Sequence, residues 1–555
     1  YGRSTSFIDG LLPSADVMYF LIVIGLFLAL SIFKLNTEKK IMSMRTKVLK
    51  YSMIVVSALL LGYLTSLPQM KLYYDGTYTK TNTLAPESQK VIQNLKGPLT
   101  ITTYVNILAP DYFSGLPFNR NYDLARFERY MRFKPEIKMK YVYYYDKTNN
   151  PTLEQRYPGL TDEQRLKKIC DALDWDVKRV LTPEQIRAKE DLSGEYNKYV
   201  RVIERGNGQK SYLRLYEDNY RHPTETEISA ALKRMVIKSP VVAFLTGHGE
   251  RSIDGIGERD YYAFSQYKDF RNSLVNQGFE SISLSLDSVN KVPENIDILV
   301  ISDVRTALSP KEQEIIENYI AEGRNLLIAG EPRRQEQMNP LLAPLGLSFM
   351  PGILVQKSKD FSADLILANP TMVSLEVINR FDKLLAFGNQ ITMPSAVGIK
   401  QTEEKGFKIV PILTTDSTGS WNELETTNFI EDTARINPSI GEVEQANTTM
   451  MYLNRKVNNR EQRIIVLGDA DCIGNGELSR QRNGISSANF SVITESFRLL
   501  SHGEFPVDTS RKGSSDNKIN INEGWGLWIK ILFMGLLPGI LIFLSLALWW
   551  KRRKK

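Results

Sequence analysis

Residues 241–250 read Val-Val-Ala-Phe-Leu-Thr-Gly-His-Gly-Glu, an apolar run that ends in a glycine-rich turn. Similar apolar runs occur further along the chain, at residues 296–302, 325–329 and 463–467. Amphipathic patterns with the period of a helix lie between or after these runs, at residues 261–276, 310–321 and 490–500. Apolar strands that alternate with amphipathic helices are typical of a parallel sheet covered by helices on both faces. We therefore predict an α/β fold with a Rossmann or flavodoxin-like domain.

The predicted domain spans residues 239–501, and its fourth apolar run lies far from the third. The intervening residues 332–461 are rich in Pro, Gly, Asn and Thr. We interpret them as a long insert, an excursion after which the chain returns to complete the same sheet.

A smaller α/β domain is predicted upstream, in residues 68–238. Two β-rich runs, at residues 98–106 and 136–145, are separated by helical patterns. A hairpin is predicted from residues 198–204 and 211–216, because a Gly-Asn-Gly turn lies between them.

Three apolar segments, at residues 15–33, 51–67 and 525–550, approach the length of about 20 residues that a transmembrane helix needs. Residues 34–50 carry six Lys or Arg against one acid, and residues 551–555 are all basic. Such clusters mark the cytoplasmic side. The sequence therefore predicts that residues 68–524 lie outside the cytoplasm, with 502–524 as a juxtamembrane linker. The alternative for the first two segments is a buried helix of a soluble core.

The location of the basic residues explains the net charge of +7, because eleven Lys or Arg lie in the two predicted cytoplasmic clusters. The surplus therefore indicates contact with anionic lipid, and no nucleic-acid partner is expected. The two cysteines, Cys170 and Cys472, have neither CxxC nor zinc-site spacing. The sequence is compatible with a disulfide between these cysteines and with two free thiols.

Several stretches resemble one family when taken together and in order. Residues 72–88 read Leu-Tyr-Tyr-Asp-Gly-Thr-Tyr-Thr-Lys-Thr-Asn-Thr-Leu-Ala-Pro-Glu-Ser, and the others are 99–105, 244–250, 297–302, 323–332 and 466–471. This set resembles the GldG-type auxiliary proteins of ABC transporters, which are named from bacterial gliding motility. The resemblance implies a non-catalytic substrate-binding or coupling component in the bacterial inner membrane, with its large soluble region in the periplasm.

The beginning of the chain carries a second resemblance. Residues 2–10 and 16–30 are similar to the last periplasmic turn and final helix of an ABC-2 type permease of the GldF kind. This implies that residues 1–40 end a permease fused to the rest, with residues 41–67 forming a cytoplasmic loop and second span. The implied partners are a cytoplasmic ABC ATPase, an ABC-2 permease in cis or as a subunit, membrane lipid, and an unidentified cargo or envelope partner.

An ATPase would need the phosphate-binding loop Gly-x-x-x-x-Gly-Lys-Ser/Thr, whose backbone N–H groups and lysine bind the phosphates. The sequence contains no such loop. We therefore expect no cofactor here and an ATPase on a separate subunit.

The best candidate site follows the predicted strands, because ligands of open α/β sheets bind beyond the carboxyl ends of their strands. Its residues are Thr246, Gly247, His248, Gly249, Glu250, Glu331, Asp469 and Asp471. We favour a ligand-binding, partner-binding or structural role, because glycine turns with a polar residue commonly end such strands. The sequence also has no Gly-x-Ser-x-Gly motif, and no cysteine in the equivalent turn, to supply a nucleophile. The competing interpretation is a membrane-anchored periplasmic hydrolase that uses the loops of His248, Glu250, Asp469 and Asp471. In it, His248 is a general base, or the imidazole and the carboxylates bind a divalent metal.

Overall fold

The computed structural model describes residues 5–39, 42–67, 70–287, 289–426, 428–511 and 523–553. Residues 512–522 of the predicted linker 502–524 and residues 554–555 of the basic tail 551–555 lie outside the described residues. The chain forms two compact units. One comprises Tyr1–Thr83 with Ser510–Lys555, and the other is Leu84–Thr509.

Three helices of the first unit are long and apolar enough to cross a membrane, namely Ser14–Lys39, Met44–Ser66 and Gly524–Lys551. The side chains in their apolar windows are not buried inside the protein, which argues against buried core helices. Both N-terminal helices are longer than predicted because they continue into the basic stretch. The second begins at Met44, where the Ser43 hydroxyl accepts a hydrogen bond from the Thr46 amide. This unit also contains strands β1 (Leu11–Pro13) and β2 (Tyr73–Asp75), which pair antiparallel.

The second unit begins with a small α/β lobe, as the sequence predicts. Its sheet has the order β4-β3-β5-β6. The strands are β3 (Leu99–Asn106), β4 (Ile137–Tyr144), β5 (Val200–Arg205) and β6 (Lys210–Arg214). Strands β5 and β6 form the predicted hairpin. The helices of this lobe are Pro86–Asn94, Arg120–Phe133, Pro151–Arg156, Asp162–Ala172, Pro183–Lys189 and Glu225–Lys233.

A nine-stranded sheet forms the rest of the unit, in the order β14-β13-β16-β18-β19-β10-β9-β7-β8. Its first strands are β7 (Val241–Thr246), β8 (Glu280–Ser285), β9 (Ile298–Ser302) and β10 (Asn325–Ala329). The strands that follow are β11 (Leu347–Phe349), β12 (Ile353–Gln356), β13 (Leu365–Pro370), β14 (Ile391–Pro394), β15 (Ile399–Gln401), β16 (Lys408–Thr414), β17 (Ser420–Glu423), β18 (Thr448–Val457) and β19 (Arg460–Leu467). The pairs β11/β15 and β12/β17 form two small separate sheets.

Five neighbouring strands of the large sheet, β8, β7, β9, β10 and β19, are parallel, so the α/β class is confirmed. Both faces are covered, because alternate residues of β7 enter different hydrophobic clusters. Val242 and Phe244 belong to one cluster, and Val241, Ala243 and Leu245 belong to the other. The helices of this region are Tyr262–Ser265, Leu274–Gln277, Pro310–Ala321, Gln335–Leu342, Phe381–Phe387, Asn475–Ser479 and Asn489–Leu500.

Part of the predicted insert, residues 332–461, belongs to the large sheet. Its strands β13, β14, β16 and β18 extend the parallel part by antiparallel pairing. The link is a hairpin between β18 and β19, turned by Asn458 and Asn459 in left-handed conformations with φ of 49° and 64°. The chain does return beside β10, as predicted.

The predicted helix at 261–276 is wrong. Only Tyr262–Ser265 and Leu274–Gln277 are helical. The residues between them turn toward the small lobe, where Asp269 pairs with Lys198 and Arg271 pairs with Asp218. Strand β8, at the edge of the sheet, was not predicted, because its burial pattern is mostly intermediate or exposed.

The close approach of Gly468 to the insert gives a test of this packing. A Cβ on Gly468 would lie 2.0 Å from the carbonyl oxygen of Val397. We expect Gly468→Ala to lower the free energy of unfolding by about 1–3 kcal/mol, because backbone must shift to admit the methyl group. Urea unfolding of the full chain in detergent, followed by thiol labelling of buried Cys472, measures the change.

Gly194→Ala is the matched control, because no heavy atom lies within 4 Å of the added Cβ. Equal stability of the two variants would contradict the packing of Gly468 against Val397.

Candidate functional site

The carboxyl ends of four adjacent parallel strands lie at one edge of the large sheet. Strands β7, β9, β10 and β19 end at Thr246, Ser302, Ala329 and Leu467. The segments that follow therefore converge, as expected for this class of fold. They carry a cluster of charged side chains that includes three of the predicted site residues.

Arg251 is the centre of this cluster, with only 3% of its surface exposed. Its Nη2 donates to Oε1 of Glu331 at 2.8 Å, and its Nε lies 3.1 Å from Oδ2 of Asp303. Its Nη1 donates to Asp471 and, at 3.0 Å, to the carbonyl oxygen of Arg259. One guanidinium thus joins the segments that follow β7, β9, β10 and β19.

The backbone after β19 is held by two carboxylates. Oε1 of Glu331 accepts from the amides of Ala470 and Asp471 at 3.1 and 3.0 Å. Oδ1 of Asp469 accepts from the amides of Asp471 and Cys472 at 2.7 and 3.2 Å. Asp469 is fully buried, and its Oδ2 has no hydrogen-bond partner within the part of the chain that the structure describes.

Burial changes the protonation of these two groups. It raises the pKa of Glu331 to about 8, and the charge of Asp471 adds to the effect. Burial, followed by repulsion from Glu331 and Asp471, also raises the pKa of Asp469 well above its ordinary value. The folded site therefore retains protons that the unfolded chain releases near pH 4 to 5.

The spacing of the carboxylates also bears on the metal hypothesis. Ligand atoms of Glu331, Asp469 and Asp471 lie within 4.8 Å of one another. Arg251 already donates to Glu331 and Asp471. The guanidinium of Arg251 thus contacts carboxylate oxygens of Glu331 and Asp471 that a metal ion would also need. It supplies positive charge at that position.

His248 lies in a different set of contacts. Its Nδ1 is 3.4 Å from Oε1 of Glu250, and its Nε2 is 3.4 Å from Oε2 of Glu312. Burial acts to raise the pKa of Glu312, but hydrogen bonds from Ser309 and the charge of His248 outweigh it, so that pKa is lowered. The 246–250 turn therefore rests against the first turn of helix Pro310–Ala321.

Two glycines allow this turn. Gly247 and Gly249 have φ of 125° and 81°, in the region that side chains disfavour. The carbonyl oxygen of His248 accepts from the amides of Arg305 and Thr306 at 2.9 and 3.1 Å. The conformation is thus fixed by backbone contacts with the segment after β9.

The structure divides the predicted site residues into two groups. Glu331, Asp469 and Asp471 come together, whereas His248 lies between Glu250 and Glu312. Among the contacts of the described residues, none joins His248 to Asp469 or Asp471. The hydrolase interpretation, which joins His248 to Asp469 and Asp471, therefore gains no support from these contacts.

Sequence reasoning missed Arg251, Asp303 and Glu312. Asp303 directly follows strand β9, so the rule that selected Glu331 could have found it. Arg251 follows Glu250 directly and could have been considered as the cation for the predicted carboxylates. Glu312 gave no such signal, because its capping role on the next helix accounts for it.

A cavity of about 480 Å³ lies elsewhere, between the small lobe and the segment of Lys268 and Asp269. Its charged groups pair with one another. Arg214 contacts Glu195 at 2.6 Å, Lys268 contacts the same carboxylate at 3.3 Å, and Arg221 pairs with Asp111. The cavity is polar, and these pairs balance much of its charge.

Comparison with known proteins places the sheet domain in context. Residues 239–496 match the family model described as "ABC-type uncharacterized transport system". This match covers β7 to most of helix Asn489–Leu500 and supports an auxiliary component of an ABC-type transport system. With three helices that could cross a membrane, it also fits a membrane protein.

Other comparisons add less. No curated protein matches the chain. Among solved structures, the chain is similar to the "mmIFT52 N-terminal domain", with 15% identity and a TM-score of 0.34 over 47% of this chain and 98% of that chain. A likeness at this TM-score carries no argument.

The raised pKa of Glu331 predicts a pH-dependent stability. Because the folded state holds a proton that the unfolded state releases above its ordinary pKa of 4.5, the free energy of unfolding should fall as pH rises from about 4.5 to about 8. The contribution of one group is at most about 1.4 kcal/mol per pH unit. Glu331→Gln keeps an acceptor for Arg251 and should flatten this dependence.

Urea unfolding of the full chain at pH 5 and pH 8, read by Cys472 labelling, measures the effect. Glu403→Gln is a control at an exposed carboxylate. An unchanged pH dependence in Glu331→Gln would contradict proton retention by Glu331.

Proposed function

We propose that this protein is a membrane-anchored auxiliary component of an ABC-2 type transporter, similar to the GldG-type proteins. It binds substrate or couples the transporter to an envelope partner. Its Leu84–Thr509 unit lies in the periplasm of a bacterium, anchored in the inner membrane by helices at both ends. The ATPase is a separate cytoplasmic subunit, and residues 1–40 are the end of a fused permease.

The observation that carries this proposal is the family match over residues 239–496, which coincides with the large sheet domain. The candidate spans lie outside the matched range, on both sides of it. The basic residues between Phe33 and Tyr51 favour the cytoplasmic side for that loop, and hence the periplasmic side for the large unit.

The chemistry of the site supports a binding role over a catalytic one. The carboxylates at the strand ends are engaged by Arg251 and by backbone amides. His248 is engaged by Glu250 and Glu312. A nucleophile next to a base, the geometry that a covalent hydrolase needs, is not found among these described residues.

Association with an ATPase tests the proposal. Affinity purification of the full chain from membranes of its native host should recover an ABC ATPase, identified by mass spectrometry from its phosphate-binding loop. A variant lacking residues 84–509 should still recover the ATPase, because the spans and the cytoplasmic loop remain. Recovery of the chain without any ABC ATPase would contradict the proposal.

His248→Ala provides a second readout in the same preparation. If the protein binds or couples, the variant should recover the ATPase in the same amount as the wild type. Any hydrolytic activity of the wild type on ester or glycoside substrates that this variant loses would favour the periplasmic hydrolase instead.

A further inference from the structure

Asp303 makes ion pairs with four guanidinium groups. Its side chain is 1% exposed and lies directly after strand β9. Its Oδ2 faces nitrogen atoms of Arg251, Arg259 and Arg305, and its Oδ1 lies 3.3 Å from Nε of Arg334. A carboxylate oxygen has two lone pairs. The hydrogen bonds from Arg259 and Arg305 therefore use both lone pairs of Oδ2, and the Arg305 bond is long at 3.5 Å. Nε of Arg251 adds an ionic contact at 3.1 Å that is not a hydrogen bond.

Three of these four arginines reach solvent. The side chains of Arg259, Arg305 and Arg334 are 44%, 38% and 31% exposed, whereas that of Arg251 is 2% exposed. All three extend from the shared buried anchor at the carboxyl edge of the parallel strands. They therefore present positive charge at the position where open α/β sheets bind ligands.

The cluster as a whole has a surplus of positive charge. Four guanidinium groups face the carboxyl groups of Asp303, Glu331, Asp469 and Asp471, and burial raises the pKa of Glu331 and of Asp469, which favours their neutral forms. The four cations therefore face less than four full negative charges. The nearby acid Glu258 is 80% exposed and pairs with Arg480, so it does not remove the surplus.

Donor groups remain for a ligand. Arg305 contacts Asp303 only through Nε, and among the described residues no hydrogen-bond acceptor lies in range of its two Nη atoms. Arg334 also uses Nε for Asp303, while its Nη1 donates to the carbonyl oxygen of Arg333 at 3.2 Å. The shared contact with Asp303 orders these long side chains before a ligand arrives, which reduces the entropy cost of binding.

We propose that Arg259, Arg305 and Arg334 form a binding site for an oxyanion group, a carboxylate or a phosphate, on a small solute. The planar guanidinium matches both groups through paired N–H donors. Asp303 positions the three arginines. The buried side chain of Arg251 contacts Asp303 and fixes its position. This inference deepens the proposed function, on which it rests for the role of the solute as substrate or effector.

Calorimetric titration of the full chain in detergent tests the site, with inorganic phosphate and citrate as separate probes at low ionic strength. We expect one equivalent of at least one probe to bind. Arg305→Gln should weaken binding about tenfold or more, since a charge-assisted hydrogen bond contributes about 1.5–3 kcal/mol. Arg305→Gln with Arg334→Gln should abolish it. The probe that binds more tightly identifies phosphate or carboxylate as the preferred group.

Arg480→Gln is the matched control, because Arg480 is 50% exposed and its ion pair is with exposed Glu258. It should bind as the wild type does, and Cys472 should stay protected in every variant, which shows that each is folded. Failure of the folded wild type to bind either probe would overturn the proposal, as would equal weakening by Arg480→Gln. Neither result depends on ATPase recovery, so this proposal and the transporter proposal fail separately.

Discussion

A single buried guanidinium, that of Arg251, connects the loops that follow the central parallel strands. Burying one unpaired charge costs several kcal/mol, so the contacts of Arg251 with Asp303, Glu331 and Asp471 must act together. The shape of the whole sheet edge depends on this constraint. The paths of the segments after β9, β10 and β19 are fixed by the same side chain, and the outer arginines are positioned by its partner Asp303.

The order of the sheet could be predicted only in part. Strands β7, β9, β10 and β19 are buried on both faces, so their sequences are continuous apolar runs. The parallel arrangement then predicts that Glu331, Asp469 and Asp471 converge. The antiparallel strands of residues 332–461 gave no such signal, because turns and polar residues interrupt them. Segment 261–276 was predicted as one helix, but contacts with the small lobe determine its path, and these contacts have no local sequence signal.

The partners of the site residues were harder to predict than their positions. His248 pairs with Glu312 because helix Pro310–Ala321 begins beside the 246–250 turn. No local sequence pattern predicts a contact between residues so far apart in the chain. Arg251 has little sequence signal either, because a single arginine after a turn is usually solvated. A family resemblance implied an auxiliary role, and the match over residues 239–496 supports it at the level of an ABC-type transport system. The charged edge lies within this matched domain and is its most distinctive chemical feature.

The coupling free energy between Arg251 and Asp303 tests most directly whether Arg251 is the centre of the charged cluster. A double-mutant cycle with Arg251→Met and Asp303→Asn isolates the interaction of the two side chains. The measured quantity is the free energy of unfolding of the full chain, obtained from thiol labelling of Cys472. Because residues in one buried ionic network couple by about 0.5–3 kcal/mol, we expect a value above about 1 kcal/mol. Additive effects of the two substitutions would contradict the role of Arg251 as the centre of the site.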